Sequence, residues 1–143
     1  MKKVSKQHKV AASRAWSRMF AVLVSSSAAR SESLSRRGLT PNDAKALWSL
    51  EAENGRPIGE LAKEWGCDPS NATFIIDRLE KAGLAQRRPS QHDRRVKLVV
   101  LSSAGARVRA ELDAEYKTPP PEILALDEAD LEALERILSK IQP

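Results

Sequence analysis

A chain of 143 residues, 41% of them hydrophobic, is long enough for one globular domain with a core but short of two comfortable ones. Its 24 Lys and Arg against 19 Asp and Glu leave a formal charge of +5, which favours an anionic partner. One cysteine, Cys67, excludes an internal disulfide, and the longest strongly apolar run, residues 19–24, is far below the roughly 20 residues that cross a bilayer, so a cytoplasmic protein without a membrane segment is expected.

Charge is polarised along the chain. Residues 1–50 hold ten Lys and Arg against two acids, Glu32 and Asp43, whereas residues 101–143 hold five against nine. The basic start, Lys2, Lys3, Lys6 and Lys9, reads as a solvated tail, with contact to a polyanion as the alternative. From about residue 5 to 35 there is no Gly or Pro, and Ala12, Trp16, Met19 and Leu23 recur at helical spacing. One long amphipathic helix ended by Gly38 is expected. Thr40 before Pro41, with Asp43 in the first turn, starts a second helix whose inner face is Ala44, Leu47, Trp48 and Leu50 and which Asn54 and Gly55 close.

Pro57 opens a short third helix with Ile58, Leu61, Ala62 and Trp65 inward, stopping at Gly66. Asp68 caps the next, Pro69 takes its first position, and Ala72, Ile75, Ile76 and Leu79 face the core before Gly83. Two short helices around the Gly66-Cys67-Asp68 turn make a helix-turn-helix. Residues 84–88 and 96–101 read as strands of a hairpin. Ser102 caps a helix to about Tyr116, Pro119-Pro120-Pro121 breaks it, and a last helix from Asp127 aligns Leu131, Leu134, Leu138 and Ile141, with Ile137 beside them. The expected fold is mainly α with a small β-hairpin wing.

The second helix of a helix-turn-helix enters the major groove, so its outward residues, Ser70, Asn71, Thr73, Phe74, Asp77 and Arg78, are candidates for base and phosphate contact. Asn71 suits adenine and Phe74 a thymine methyl. A solvated polar helix face is the alternative. The hairpin adds Arg87, Arg88, Arg94, Arg95 and Lys97 around a turn opposed only by Asp93, a tip suited to phosphates and to a narrow minor groove. Asp93 is expected to hold one arginine side chain in orientation, or else to form a weak surface ion pair.

The run D-P-S-N-A-T-F-I-I-D-R-L-E-K-A-G-L-A-Q-R-R-P-S-Q-H-D-R-R-V-K-L-V-V-L-S-S-A-G resembles the MarR family of bacterial transcription regulators, with its L-E-x-x-G-L, R-R, D-R-R wing and L-T-x-x-G-like helix start. The upstream L-T-P-N-D-A-K-A-L-W-S-L and I-G-E-L-A-K-E-W-G-C segments resemble its preceding helices, so the likeness covers about residues 39–110. It implies a winged helix-turn-helix domain over 39–101, flanked by dimerisation helices in 1–38 and 102–143. The expected function is a homodimeric transcription repressor on double-stranded DNA, binding a pseudo-palindrome and released by a small lipophilic or phenolic effector. By the same likeness Arg94 or Arg95 enters the minor groove, Asp93 orients it, and Ser70, Asn71, Thr73 and Arg78 contact DNA from the helix. Phe74 departs from the polar or basic residue usual at its position.

Other sites are weaker. Trp16, Phe20, Trp48 and Trp65 are candidates for an aromatic effector pocket, the alternative being plain core. Cys67 is expected as a buried small hydrophobe, and His8 and His92 with one cysteine make no dedicated zinc site within the chain. No cofactor, metal or catalytic constellation is expected, so the chain reads as a non-enzyme. A winged-helix module that binds proteins, and an activator, are the alternative functions.

Overall fold

The computed structural model describes residues 4–141. Lys2 and Lys3 lie outside that range, while Lys6 and Lys9 stand in the first turns of a helix rather than in a tail. The fold is mainly helical with a small antiparallel sheet, as expected. It divides into two compact units, one of 1–29 with 117–143 and the other Arg30–Tyr116.

In the first unit α1, Lys6–Ser25, starts at Ser5, whose hydroxyl accepts the His8 N–H at 3.1 Å. The single helix expected over 5–35 is broken at Ser26, and α2, Ser27–Arg36, begins beyond it. The hydroxyls of Ser25, Ser26 and Ser27 donate to the carbonyls of Val22, Leu23 and Val24, three residues back. Such bonds compete with the helical ladder and bend it. After the prolines comes a short helix the sequence reading missed, α7, Pro121–Leu124, with Pro121 at its first position, where a fixed φ costs nothing. The last helix, α8, Glu128–Leu138, is capped by Asp127, which accepts the Asp130 N–H at 2.8 Å. Neither α1 nor α8 contains a buried residue.

The second unit begins within α2 and is organised by α3, Pro41–Ser49. Thr40 and Asp43 form a reciprocal capping box, with the Asp43 N–H on Thr40 Oγ1 at 3.2 Å and the Thr40 N–H on Asp43 Oδ2 at 2.8 Å. The helix stops at Leu50, short of Asn54 and Gly55, because the chain must turn extended there: the Glu51 carbonyl accepts the Leu101 N–H at 2.8 Å. The orphan carbonyl of Leu50 takes the Arg109 guanidinium at 2.6 Å instead.

A two-residue strand, β1, Arg56–Pro57, was also missed. It pairs antiparallel with β3, Lys97–Leu101, whose other neighbour is β2, Ala85–Pro89, so the hairpin is the larger part of a three-stranded sheet of order β1-β3-β2. Proline is tolerated at this edge. Gly55 precedes it because any Cβ there would come within 2.7 Å of Leu98 Cβ.

Between the strands run α4, Ile58–Trp65, and α5, Pro69–Lys81, joined through Gly66 at φ 66°. The core holds Leu47, Leu50, Leu61, Ile76, Leu79 and Val99, all fully buried, with Leu112 of α6, Ser103–Lys117. Of the expected inner faces, Trp48, 40% exposed, is the exception. The Ser102 hydroxyl accepts the Gly105 N–H at 2.9 Å and donates to the Gly83 carbonyl at 2.6 Å, tying the start of α6 to the end of α5. Arg37, just past α2, binds Glu111 and Glu115 of α6 at 3.2 and 2.7 Å, and the buried Ser33 hydroxyl donates to Glu115. The Glu115 carboxyl is held below its usual range by Arg37 and then Ser33.

Candidate nucleic-acid interface

The second helix of the helix-turn-helix, α5, turns Ala72, Ile75, Ile76 and Leu79 into the core and leaves Ser70, Asn71 and Phe74 exposed, with Thr73 and Arg78 half-buried. Phe74 is 60% exposed, an expensive place for a phenyl ring without a partner. Asp68 occupies the N-cap position, but its side chain makes no capping bond; its backbone carbonyl accepts from Asn71 and Ala72 at 3.0 Å. The expected side-chain cap is absent, so the Asp68 carboxylate takes up none of the free N–H groups in the first turn of α5.

Arg78 is not a free cation. Its Nη2 lies 3.0 Å from Asp43 Oδ2 and 3.3 Å from the Gly38 carbonyl, and its Nε sits 3.4 Å from each Asp43 oxygen. Asp43 is 1% exposed. Burial alone would push its carboxyl up; hydrogen bonds from Arg78 and Thr40 outweigh that and hold it below the ordinary carboxylate range. The Arg78 guanidinium is raised in turn by Asp43. One buried carboxylate therefore caps α3 and anchors α5.

On the wing, Arg87 is 22% exposed and committed, its Nη2 2.5 Å from Asp77 Oδ1 and its Nη1 3.0 Å from Glu80 Oε1. Arg88, Arg94, Arg95 and Lys97 are exposed and form no ion pair among the described residues. The turn is built from the backbone: the Ser90 N–H donates to the Val96 carbonyl at 2.8 Å, and the Ser90 hydroxyl accepts the His92 N–H at 3.2 Å. Asp93 Oδ1 accepts the Arg95 N–H at 2.9 Å. Asp93 thus shapes the turn backbone and does not hold an arginine side chain, because an Asp side chain is short enough to close a local turn two residues on.

The structure thus divides the twelve helix and wing residues that the sequence points to. Ser70, Asn71, Phe74, Arg94, Arg95 and Lys97 present exposed polar, aromatic or cationic surface, as does Arg88, whose Nη2 also donates to Gln86 Oε1 at 3.4 Å; Asp77, Arg78, Arg87 and Asp93 are tied to protein partners, and Thr73 is half-covered. Asp43 and Glu80 were missed. The i, i+3 spacing of Asp77 and Glu80, just before Arg87, is the signal that would have found the second pair.

Elsewhere, Trp16 and Phe20 are exposed on α1 at 61% and 55%, and Trp48 lies against Tyr116 with ring centroids 5.2 Å apart. Trp65 packs on the core and donates its indole N–H to Ser49 Oγ at 3.0 Å. Cys67 is half-buried rather than buried. Among the described residues no cluster of His, Cys, Asp and Glu could hold a metal, and no helix is long and apolar enough to cross a membrane.

A model of the MarR family matches residues 39–97. The transcriptional repressor MprA of Escherichia coli (strain K12) is 31% identical over 115 residues, covering 78% of this chain and 65% of MprA. The curated relatives are matched over only 40% to 65% of their own length. Among solved structures, YusO from Bacillus subtilis superposes with a TM-score of 0.74 at 26% identity, over 95% of this chain and 96% of YusO. A MepR–DNA complex from S. aureus gives 0.66 at 17% identity, over 87% and 98%, a likeness of fold alone.

Proposed function

The chain belongs to the MarR family, and from that premise we propose that it is a DNA-binding transcription regulator, a homodimeric repressor of a pseudo-palindromic operator. One observation carries this reading: four exposed wing cations, Arg88, Arg94, Arg95 and Lys97, without acidic partners, beside a helix whose N-terminal half exposes Ser70, Asn71 and Phe74. A relative named a transcriptional repressor supports it.

In this reading Asn71 pairs with an adenine edge, Phe74 packs on a thymine methyl, and Ser70 and Thr73 bond bases or phosphates. Arg94 or Arg95 enters the minor groove and Arg88 meets a phosphate. Arg78 serves from behind, holding α5 on Asp43. The apolar faces of α1 and α8, none of whose residues is fully buried, are covered by a second copy, and the two wings then read half-sites about 34 Å apart. A small lipophilic or phenolic effector that favours another wing spacing releases the DNA; exposed Trp16 and Phe20 in the first unit and, separately, Trp48 in the second are candidate contacts.

Selection of bound duplexes from a random pool should recover a palindrome. Arg94→Ala with Arg95→Ala should then weaken binding to it at least about tenfold in a gel-shift titration at fixed salt, while the dimer persists. Unchanged binding would sink the wing assignment.

A further inference from the structure

We propose that Arg87 is a positioning residue: it clamps the wing to the recognition helix through Asp77 and Glu80 and makes no contact with DNA. The proposal rests on the DNA-binding reading for the surface that it serves. Arg87 stands opposite Val99 in the β2–β3 ladder, and directly opposed residues of an antiparallel pair share a face of the sheet. The Arg87 side chain is itself only 22% exposed, while Gln86 and Arg88 on either side of it are exposed, so Arg87 lies on the protein side of the wing. There its two terminal nitrogens meet two carboxylates one helical turn apart, at 2.5 and 3.0 Å. A planar fork with each arm occupied fixes an angle as well as a distance, which a lysine in its place would not do.

Charge argues the same way. A helix that approaches phosphates carrying Asp77 and Glu80 brings two like charges to the polyanion, and Arg87 offsets one of them. The cluster keeps a net negative charge, so it is a poor phosphate site. The acids earn their place by fixing where the free cations of the wing stand relative to Ser70, Asn71 and Phe74.

Two constructions of the site predict opposite results. If Arg87 were a phosphate ligand, Asp77→Asn with Glu80→Gln would free it and tighten binding, and Arg87→Ala would lower the slope of log affinity against log salt by about one. As a clamp, the two acid substitutions should weaken binding to the selected duplex about threefold to tenfold although they remove negative charge. Arg87→Ala should weaken it equally with the slope kept, the triple variant should lose no more than either, and Arg87→Lys should recover only part. In the free full-length protein, amide exchange across residues 85–89 should quicken in both the alanine and the acid-neutralised variants. Tighter binding of the acid variant, a slope lowered by one, or unchanged exchange would each overturn the clamp. A wild-type chain that retains no duplex would overturn the DNA-binding reading instead, and the exchange measurement would still decide the clamp.

Discussion

Asp43 is a single carboxylate with two structural tasks, since its oxygens cap α3 through the Thr40 N–H and receive Arg78 from α5. Removing it abandons a capping box and leaves the Arg78 guanidinium, half-buried, without its partner. Asp43→Ala should cost about 2–4 kcal/mol, read as a lower urea midpoint. Its pH dependence has a definite sign. A carboxyl depressed in the folded state contributes in full above its unfolded value of about 3.9 and loses that contribution as pH falls through the folded value. Asp43→Asn should therefore be less stable than wild type at pH 7, with the gap closing in acid unfolding as the pH falls below about 3.9. A constant gap across that range would show that the charge of Asp43 is not what holds α5. In the sequence Asp43 was legible as a first-turn acid; its burial and its partner 35 residues away were not, because no local pattern encodes which helix end another helix covers.

At the level of elements, the start of α6 is set by close approach. A Cβ on Gly105 would lie 2.7 Å from Leu101 Cδ1 and closer still to the Leu84 carbonyl. Gly105→Ala should destabilise by about 1–3 kcal/mol, because neither the Leu84 carbonyl, held by the Ser102 N–H at 3.0 Å, nor the buried Leu101 can give way. Equal urea midpoints for the two proteins would contradict the tight seam. Gly105 falls in the S-S-A-G run that carried part of the family likeness, so the pattern was visible while its steric cause was not. The helices α3, α4 and α5 were legible from apolar spacing and from Thr40, Gly66 and Pro69. The break at Ser26 and strand β1 were not: one depends on hydroxyls choosing carbonyls of their own chain, the other on two residues whose only strand character is their pairing with Val99 and Leu98.

On the scale of the whole molecule, α1 and α8 expose Trp16, Phe20, Leu23, Leu131 and Leu138, and a helix without a fully buried residue gains little from folding alone. If a second copy covers α1, Trp16→Glu with Phe20→Glu should halve the mass seen by light scattering and abolish two-half-site binding. If these two residues serve only an effector, the mass will not change. For these aromatics the sequence left open an effector pocket or plain core; exposure of 61% and 55% argues against core, and the same experiment separates a dimer face from an effector contact.

By itself the sequence determined the helix-turn-helix, the wing and the family, because apolar period, caps and turn residues are local and a charged turn between two apolar runs can be read in one dimension. Only the tertiary structure decided which cations are free. Arg78 and Arg87 look like Arg94 and Arg95 in the sequence, yet the first two lie within reach of carboxylates brought by other elements and the last two do not. Charge is written in the sequence; whether it is already neutralised depends on distance, which folding alone sets.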